Sequence, residues 1–182
     1  MKIKVGISNR HVHLTEEDYE TLFGSAEFIK RNDLSQPGEF ASSLTVTIEG
    51  NKGKIENVRV LGPLRNYTQV ELSRTDCYKL GINPVIKESG DLAFAEEVTI
   101  STEKGRITRK CAIVHQRHIH ASMEEKERYN LKDSYDVIIG GLKPTILKDV
   151  KVKYGNFKLE LHLDTDDANA CNLISGDEVE IE

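Results

Sequence analysis

The sequence predicts a mainly β protein of small barrels or sandwiches, written as two unequal copies of one unit. Three observations carry that expectation. Short alternating segments bounded by Gly, Asn or Asp turns dominate the chain, which is the pattern of short strands in compact all-β folds. The stretch "SNRHVHLTEEDYETLFG", from Ser8, returns as "HQRHIHASMEEKERYNL", from His115. A second landmark recurs as well: "VELSRTDCYKLGI", from Val70, lies over "LHLDTDDANACNL", from Leu161.

In chain order the expected strands are "KIKVGI", "LTVTIEG", "IENVRVLG", "YTQVELS", "EEVTIS", "DVIIGG", "LKDVKVKYG", "FKLELHLD" and "DEVEIE". Helices are few. One opens at Thr15, with Asp18 as the partner of a capping-box-like start and Gly24 as its stop. A second opens at Ser122 with Glu125 as its box partner, and a third covers residues 76–80 before Gly81. His11 and His13 recur 107 positions on as His118 and His120, whereas the second landmark recurs after 91 positions. The second copy is therefore 16 residues shorter between landmarks, and "SQPGEFASS", from Ser35, accounts for the extra length of the first. No low-complexity segment separates the copies, so two tightly packed halves are expected, residues 10–115 and residues 116–182, the latter completed by residues 1–9.

The 182 residues suffice for a sizeable core. Thirty acidic against 25 basic side chains leave a net charge of -5, which argues against a general nucleic-acid binder. No apolar run approaches the roughly 20 residues that cross a bilayer, and the N-terminus lacks signal-peptide organisation, so no membrane partner is expected. Cys77, Cys111 and Cys171 are odd in number and scattered, and read as reduced thiols of a cytoplasmic protein. The apolar neighbours of Cys111 suit a core strand better than a nucleophile.

On a strand, side chains at i and i+2 share a face, roughly 6 to 7 Å apart along the backbone, so His-x-His can converge on one cation. Taken singly, such a pair is more often a hydrogen-bonded or surface feature; its repetition changes the balance. The 91-residue shift places Glu71 over His162. Each copy then offers three metal-competent groups: His11, His13 and Glu71 in one, His118, His120 and His162 in the other. Three protein ligands with an open position is the catalytic pattern for zinc. His115 remains outside the scheme, two residues before Arg117 and on a shared strand with it, as a supporting or structural residue. Arg10 and Arg117 precede the His pairs and suit ion pairs with nearby carboxylates. In "GPLRNYTQVE", Arg65 lies across a Gly-Pro turn from Glu71, placed either to grip phosphate in bidentate fashion or as a surface arginine.

The motifs "RHVHL", "LSQPGEF", "LGPLRNYTQVELSRTD", "LGI", "SGDL", "QRHIH" and "LHLDTDDANA" resemble the PduL-type phosphotransacylases, or phosphate propanoyltransferases, over residues 5–177. The resemblance implies two intertwined small β-barrels and reversible acyl transfer between coenzyme A and inorganic phosphate, from propanoyl- or acetyl-CoA. It implies a dinuclear zinc site at the junction of the barrels, one ion on the first triplet and one on the second, with Arg65 as the catalytic arginine for phosphate. Where the family usually has "PPVRDSGD", this chain has "PVIKESGD", so Lys87 stands at a position implied to meet a coenzyme A phosphate. Lysine there keeps the charge and loses the planar fork. Members packaged in microcompartments carry an encapsulation helix before the first strand; this chain opens within that strand, and a free cytoplasmic enzyme is expected, with a homo-oligomer left open. Direct attack of phosphate in a ternary complex is the expected route. Competing readings are a binuclear metallohydrolase, a non-catalytic zinc-stabilised module, and a cupin-like single-metal barrel, which leaves the duplicate unexplained.

Overall fold

The computed structural model describes all residues, 1–182. In chain order the elements are β1 (Lys2–Ser8), β2 (His11–His13), α1 (Glu16–Phe23), β3 (Lys30–Asp33), β4 (Phe40–Glu49), β5 (Lys54–Gly62) and β6 (Gln69–Leu72). Then follow α2 (Arg74–Leu80), β7 (Ile86–Lys87), β8 (Glu96–Ser101), β9 (Arg106–His115), β10 (His118–Ala121) and α3 (Met123–Tyr129). The last are β11 (Ser134–Ile139), β12 (Thr145–Tyr154), β13 (Glu160–Asp164), α4 (Thr165–Cys171) and β14 (Glu178–Ile181).

The chain forms two compact units. One comprises Asn9–Leu34 and Gly38–Gln116; the other comprises Met1–Ser8, Ser35–Pro37 and Arg117–Glu182. Within the second, β1, β13, β10, β12, β11 and β14 close into a six-stranded barrel. Within the first, β4, β5, β2, β6 and β9 follow one another, and β8 pairs with both β9 and β4, which closes six strands there too. The short strands β3 and β7 are added at β4 and β9.

The two barrels have the same wiring. In each, the His-x-His strand runs parallel to one neighbour (β5 or β12) and antiparallel to the other (β6 or β13). In each, that second neighbour runs parallel to a long-range partner, β9 beside β6 and β1 beside β13. The partner strand immediately precedes a His-x-His strand in sequence but is spent in the other barrel, since β1 leads into β2 and β9 leads into β10. That connectivity is consistent with a duplicated unit that has exchanged first strands. Even the irregularities match. The ladder slips between Val46 and Ile48 on β4 and between Tyr135 and Val137 on β11. Opposite these, Asn57 and Asp149 adopt left-handed φ values of 59° and 50°. Such bulges sharpen twist and help a short sheet curl closed.

The core is written by alternation. Ile3 and Val5 of β1, Leu161 and Leu163 of β13, and Val179 and Ile181 of β14 are all buried in the core of one barrel. Val70 and Leu72 of β6, Val98 and Ile100 of β8, and Ile55, Val58 and Val60 of β5 fill the other. Val12 and Ile119, the middle residues of the two His-x-His strands, are fully buried in these cores. Because side chains alternate, the flanking imidazoles then share the opposite face.

Helix starts follow their caps. Ser73 and Ser122 each form a full capping box, with Asp76 and Glu125. At α1 the Thr15 hydroxyl accepts from the Asp18 amide, but the Asp18 carboxylate does not return the bond. It accepts instead from the Thr68 hydroxyl and from Arg109, 2.7 Å away, a charge-assisted pairing stronger than a cap contact. Alternation does not announce β3, β7 and the outer half of β9, because their side chains are mostly exposed and polar. His115 and Arg117 do not share a strand: β9 ends at His115, and the chain passes to the other unit at Arg117. Residues 35–37, read from sequence as extra length in the first copy, are built into the other unit, where Gln36 bonds the backbone of Lys158.

Candidate metal centres

Register alone brings each triplet together. On the β2–β6 ladder His11 lies directly opposite Glu71, and on the β10–β13 ladder His118 lies directly opposite His162. The second imidazole of each pair adds to that face from two residues on. The potential ligand atoms of His11, His13 and Glu71 all lie within 4.8 Å of one another, and so do those of His118, His120 and His162.

In the first cluster the Asn9 carbonyl accepts from His11 Nδ1 at 2.8 Å, which leaves Nε2 facing the cluster, 3.3 Å from Glu71 Oε2. The rings of His11 and His13 meet edge to face. Burial depresses the His11 pKa, but the Glu71 carboxylate outweighs it and the net shift is upward. Burial, then the neighbouring His11 and Arg65, drive His13 well below the ordinary imidazole range, so it stays neutral and able to ligate. Glu71 is raised by burial and lowered by His115 and His11, and the charges win, holding it ionised. His115 Nδ1 stands 3.9 Å from Glu71 Oε2, at the margin of the triplet. Nδ1 of His13 is buried without a hydrogen-bond partner, which buried polar atoms seldom tolerate. A neutral imidazole, a second with one nitrogen turned inward, and an ionised carboxylate fit a zinc-type cation.

In the second cluster the Nε2 atoms of His118 and His120 approach to 2.9 Å, and the His162 ring lies 5.2 and 4.3 Å from theirs, centroid to centroid. Phe157 stacks flat on His120 at 3.8 Å, restricting the ring. Three imidazoles also fit zinc or a similar borderline cation.

Arg65 is not a surface arginine. Its side chain is 21% exposed, and Nη1 donates to the Tyr67 and Ser89 hydroxyls while Nη2 pairs with Glu39 at 2.8 Å. The Ser89 hydroxyl in turn donates to Glu71 Oε1 at 3.1 Å, so one serine links the guanidinium to the first cluster. Lys87 pairs with His115 across the β7–β9 ladder, and its ammonium is taken by Asp91 at 2.6 Å. Arg10 pairs with Asp76 of α2 and Arg117 with Asp167 of α4, at 2.8 and 3.1 Å, so each clamps the start of a His-x-His strand to a helix of its own unit.

The model of the phosphate propanoyltransferase family matches residues 4–174. The chain belongs to that family. It is similar to the phosphate propanoyltransferase of Thermotoga maritima, with 48% identity over 98% of this chain and 88% of the relative. It is likewise similar to those of Priestia megaterium, at 47% over 96% of this chain and 83% of the relative, and Clostridioides difficile, at 44% over 96% and 86%. As a phosphate propanoyltransferase family member the chain is an acyltransferase enzyme, and no helix in it is long and apolar enough to cross a membrane.

The residues that sequence reasoning misses are the supports of this family member's clusters: Gln69, Ser89 and Glu39 around Glu71 and Arg65, and Gln36, Phe157 and Glu160 around His162 and His120. Two of them carried a signal. Gln69 and Glu160 each lie two residues before a third ligand, hence on the same face of its strand.

All three cysteines are buried thiols outside any disulfide. Burial pushes the Cys111 thiol up to about 12, far from a thiolate at neutral pH. Replacing Cys77, Cys111 and Cys171 one at a time by Ala or Ser is expected to leave turnover within a few-fold, read by steady-state kinetics beside a melting curve. Loss of turnover in a variant that keeps its fold and metal would demand a covalent route.

Proposed function

We propose that the enzyme converts a short-chain acyl-CoA, propanoyl- or acetyl-CoA, and inorganic phosphate reversibly to acyl phosphate and free coenzyme A, with zinc held at each triplet. The observation that carries this reading is Arg65, half-buried and tied through Ser89 to Glu71. A planar fork held beside a metal-competent carboxylate matches a tetrahedral oxyanion such as phosphate.

Zinc on these ligands would supply Lewis-acid polarisation of the thioester carbonyl and neutralise developing negative charge. His13 stays neutral and Glu71 ionised, the states in which they bind a cation, whereas the upward shift of His11 means that a proton leaves that ring as metal binds. Arg65, steadied by Tyr67, Ser89 and Glu39, binds and orients phosphate so that an oxygen faces the acyl carbon. A phosphate oxygen forms the new bond to that carbon as the C–S bond breaks, and the proton lost by phosphate balances the one gained by the departing thiol. Thiolate is a good leaving group, so no strong general acid is needed, and no side-chain nucleophile intervenes. Lys87 is assigned to a coenzyme A phosphate, in exchange for its partner Asp91.

The test measures coenzyme A release from acetyl-, propanoyl- and butanoyl-CoA, with and without phosphate, beside zinc analysis. Release that depends on phosphate, with acyl phosphate as product and about two ions per chain, is expected. Release without phosphate would instead identify a thioester hydrolase, and metal without turnover would identify a zinc-stabilised module.

A further inference from the structure

The identical wiring of the two barrels gives each third ligand a partner two residues earlier on the same strand face. Gln69 lies opposite His13, and Glu160 lies opposite His120. The chemistry of each partner complements its ligand. Glu71 is an acceptor, and Gln69 Nε2 donates to its Oε1. His162 carries a ring N–H, and Glu160 Oε2 lies 2.8 Å from its Nε2.

Glu160 is held with some care. The Ser35 hydroxyl donates to Oε2 at 2.6 Å and the Gln36 amide donates to it at 3.0 Å. Gln36 is only 2% exposed, and its own carbonyl accepts from the Lys158 amide at 3.0 Å. Its Nε2 also stands 3.2 Å from His162 Nε2. On the other side, β1 passes with Gly6 beside His162. A Cβ at Gly6 would meet Glu160 Oε2 at 2.8 Å and its carboxyl carbon at 2.9 Å. At the same place in the other barrel, β9 carries Ile113 beside Glu71. Space for the Glu160 carboxylate is thus made by a missing side chain on one strand and filled with donors from residues 35 and 36.

We propose that Glu160, clamped by Ser35 and Gln36 against Gly6, is a positioning residue that accepts a hydrogen bond from the Nε2–H of His162, keeps the proton on that nitrogen and so leaves Nδ1 as the nitrogen for the second metal. Metal-binding histidines commonly give their other N–H to a carboxylate, which fixes the ring and raises its basicity; removing such a partner typically costs about 10- to 100-fold in metal affinity. This inference rests on the reading that both triplets bind zinc.

The experiment is a zinc titration of the full chain against a competing chelator, with melting curves as the fold control. Wild type is expected to bind two ions. Glu160→Ala is expected to weaken one ion by about 10- to 100-fold and leave the other unchanged. Glu160→Gln, which keeps shape and one acceptor oxygen, should lose less, and it serves if Glu160→Ala does not fold. Gly6→Ala, which displaces the carboxylate without removing it, should weaken the same ion. Gln36→Ala should weaken that ion too, yet add nothing in the Glu160→Ala background, because Gln36 acts through Glu160. Nitrogen-15 NMR of the zinc-loaded protein should show His162 protonated at Nε2. Unchanged affinity in folded Glu160→Ala and Glu160→Gln, or metal on Nε2, would overturn the inference while leaving two-ion binding intact. A wild-type chain that binds fewer than two ions would instead remove the zinc reading beneath it.

Discussion

His13→Ala and His120→Ala are each expected to bind one zinc ion fewer than wild type and to lose about 10³-fold or more in turnover. The size follows from the several kcal/mol of charge stabilisation that a bound metal supplies, at about 1.4 kcal/mol for each tenfold in rate. The fold should survive. The middle residues of these strands, Val12 and Ile119, carry the barrel cores, whereas the imidazoles lie on the other face. Removing His13 also removes a buried ring nitrogen that has no protein hydrogen-bond partner, so little native bonding is forfeited. Zinc analysis, circular dichroism and steady-state rates on the same preparations give the answer. Full activity in His120→Ala with its ion missing would refute a catalytic role for the second metal.

Arg65→Ala is expected to fall about 10²- to 10³-fold in the acyl-phosphate-forming direction, the usual cost of an oriented electrostatic contact in a transition state. Arg65→Lys should be strongly impaired as well. Three of the five N–H donors are engaged, two on one terminal nitrogen by Tyr67 and Ser89 and one on the other by Glu39, which leaves donors for phosphate; an ammonium cannot both span those acceptors and offer a planar fork to the anion. Zinc content should not change, because Arg65 reaches Glu71 only through Ser89, and Gln69 also holds that carboxylate. The deficit should appear against phosphate more than against acyl-CoA. Near wild-type rates in Arg65→Ala, with phosphate varied, would separate this arginine from phosphate binding and take with it the main support for the transfer mechanism.

Much of the fold was legible in the chain because alternation and caps are local signals. β8 appears at Glu96–Ser101, as its alternation of Val98 and Ile100 requires, and α3 starts at its Ser122 box. The proximity of the candidate ligands within each triplet was legible too, for a reason specific to repeats. A register that pairs His118 with His162 must pair His11 with the residue 91 positions before His162, and that residue is Glu71. The ion pairs of Arg10 and Arg117 were visible as types of interaction, but their partners Asp76 and Asp167 were not singled out.

What the sequence by itself determined, then, is the mainly β class, the strands with alternating burial, the caps, the family and two equivalent sets of ligand types. Each of these depends on neighbours along the chain or on a comparison of two stretches of it. Only the tertiary structure decided the capture of residues 35–37 by the other unit and the partners of Arg65, Asp18 and His162. The capture of His162 shows why. Its acceptor Glu160 is two residues away, but the donors that hold Glu160 come from Ser35 and Gln36, and the room for it comes from Gly6. Separations of that size leave no local period to read; they are set when closing a barrel brings strand edges together and every buried polar group must find a partner.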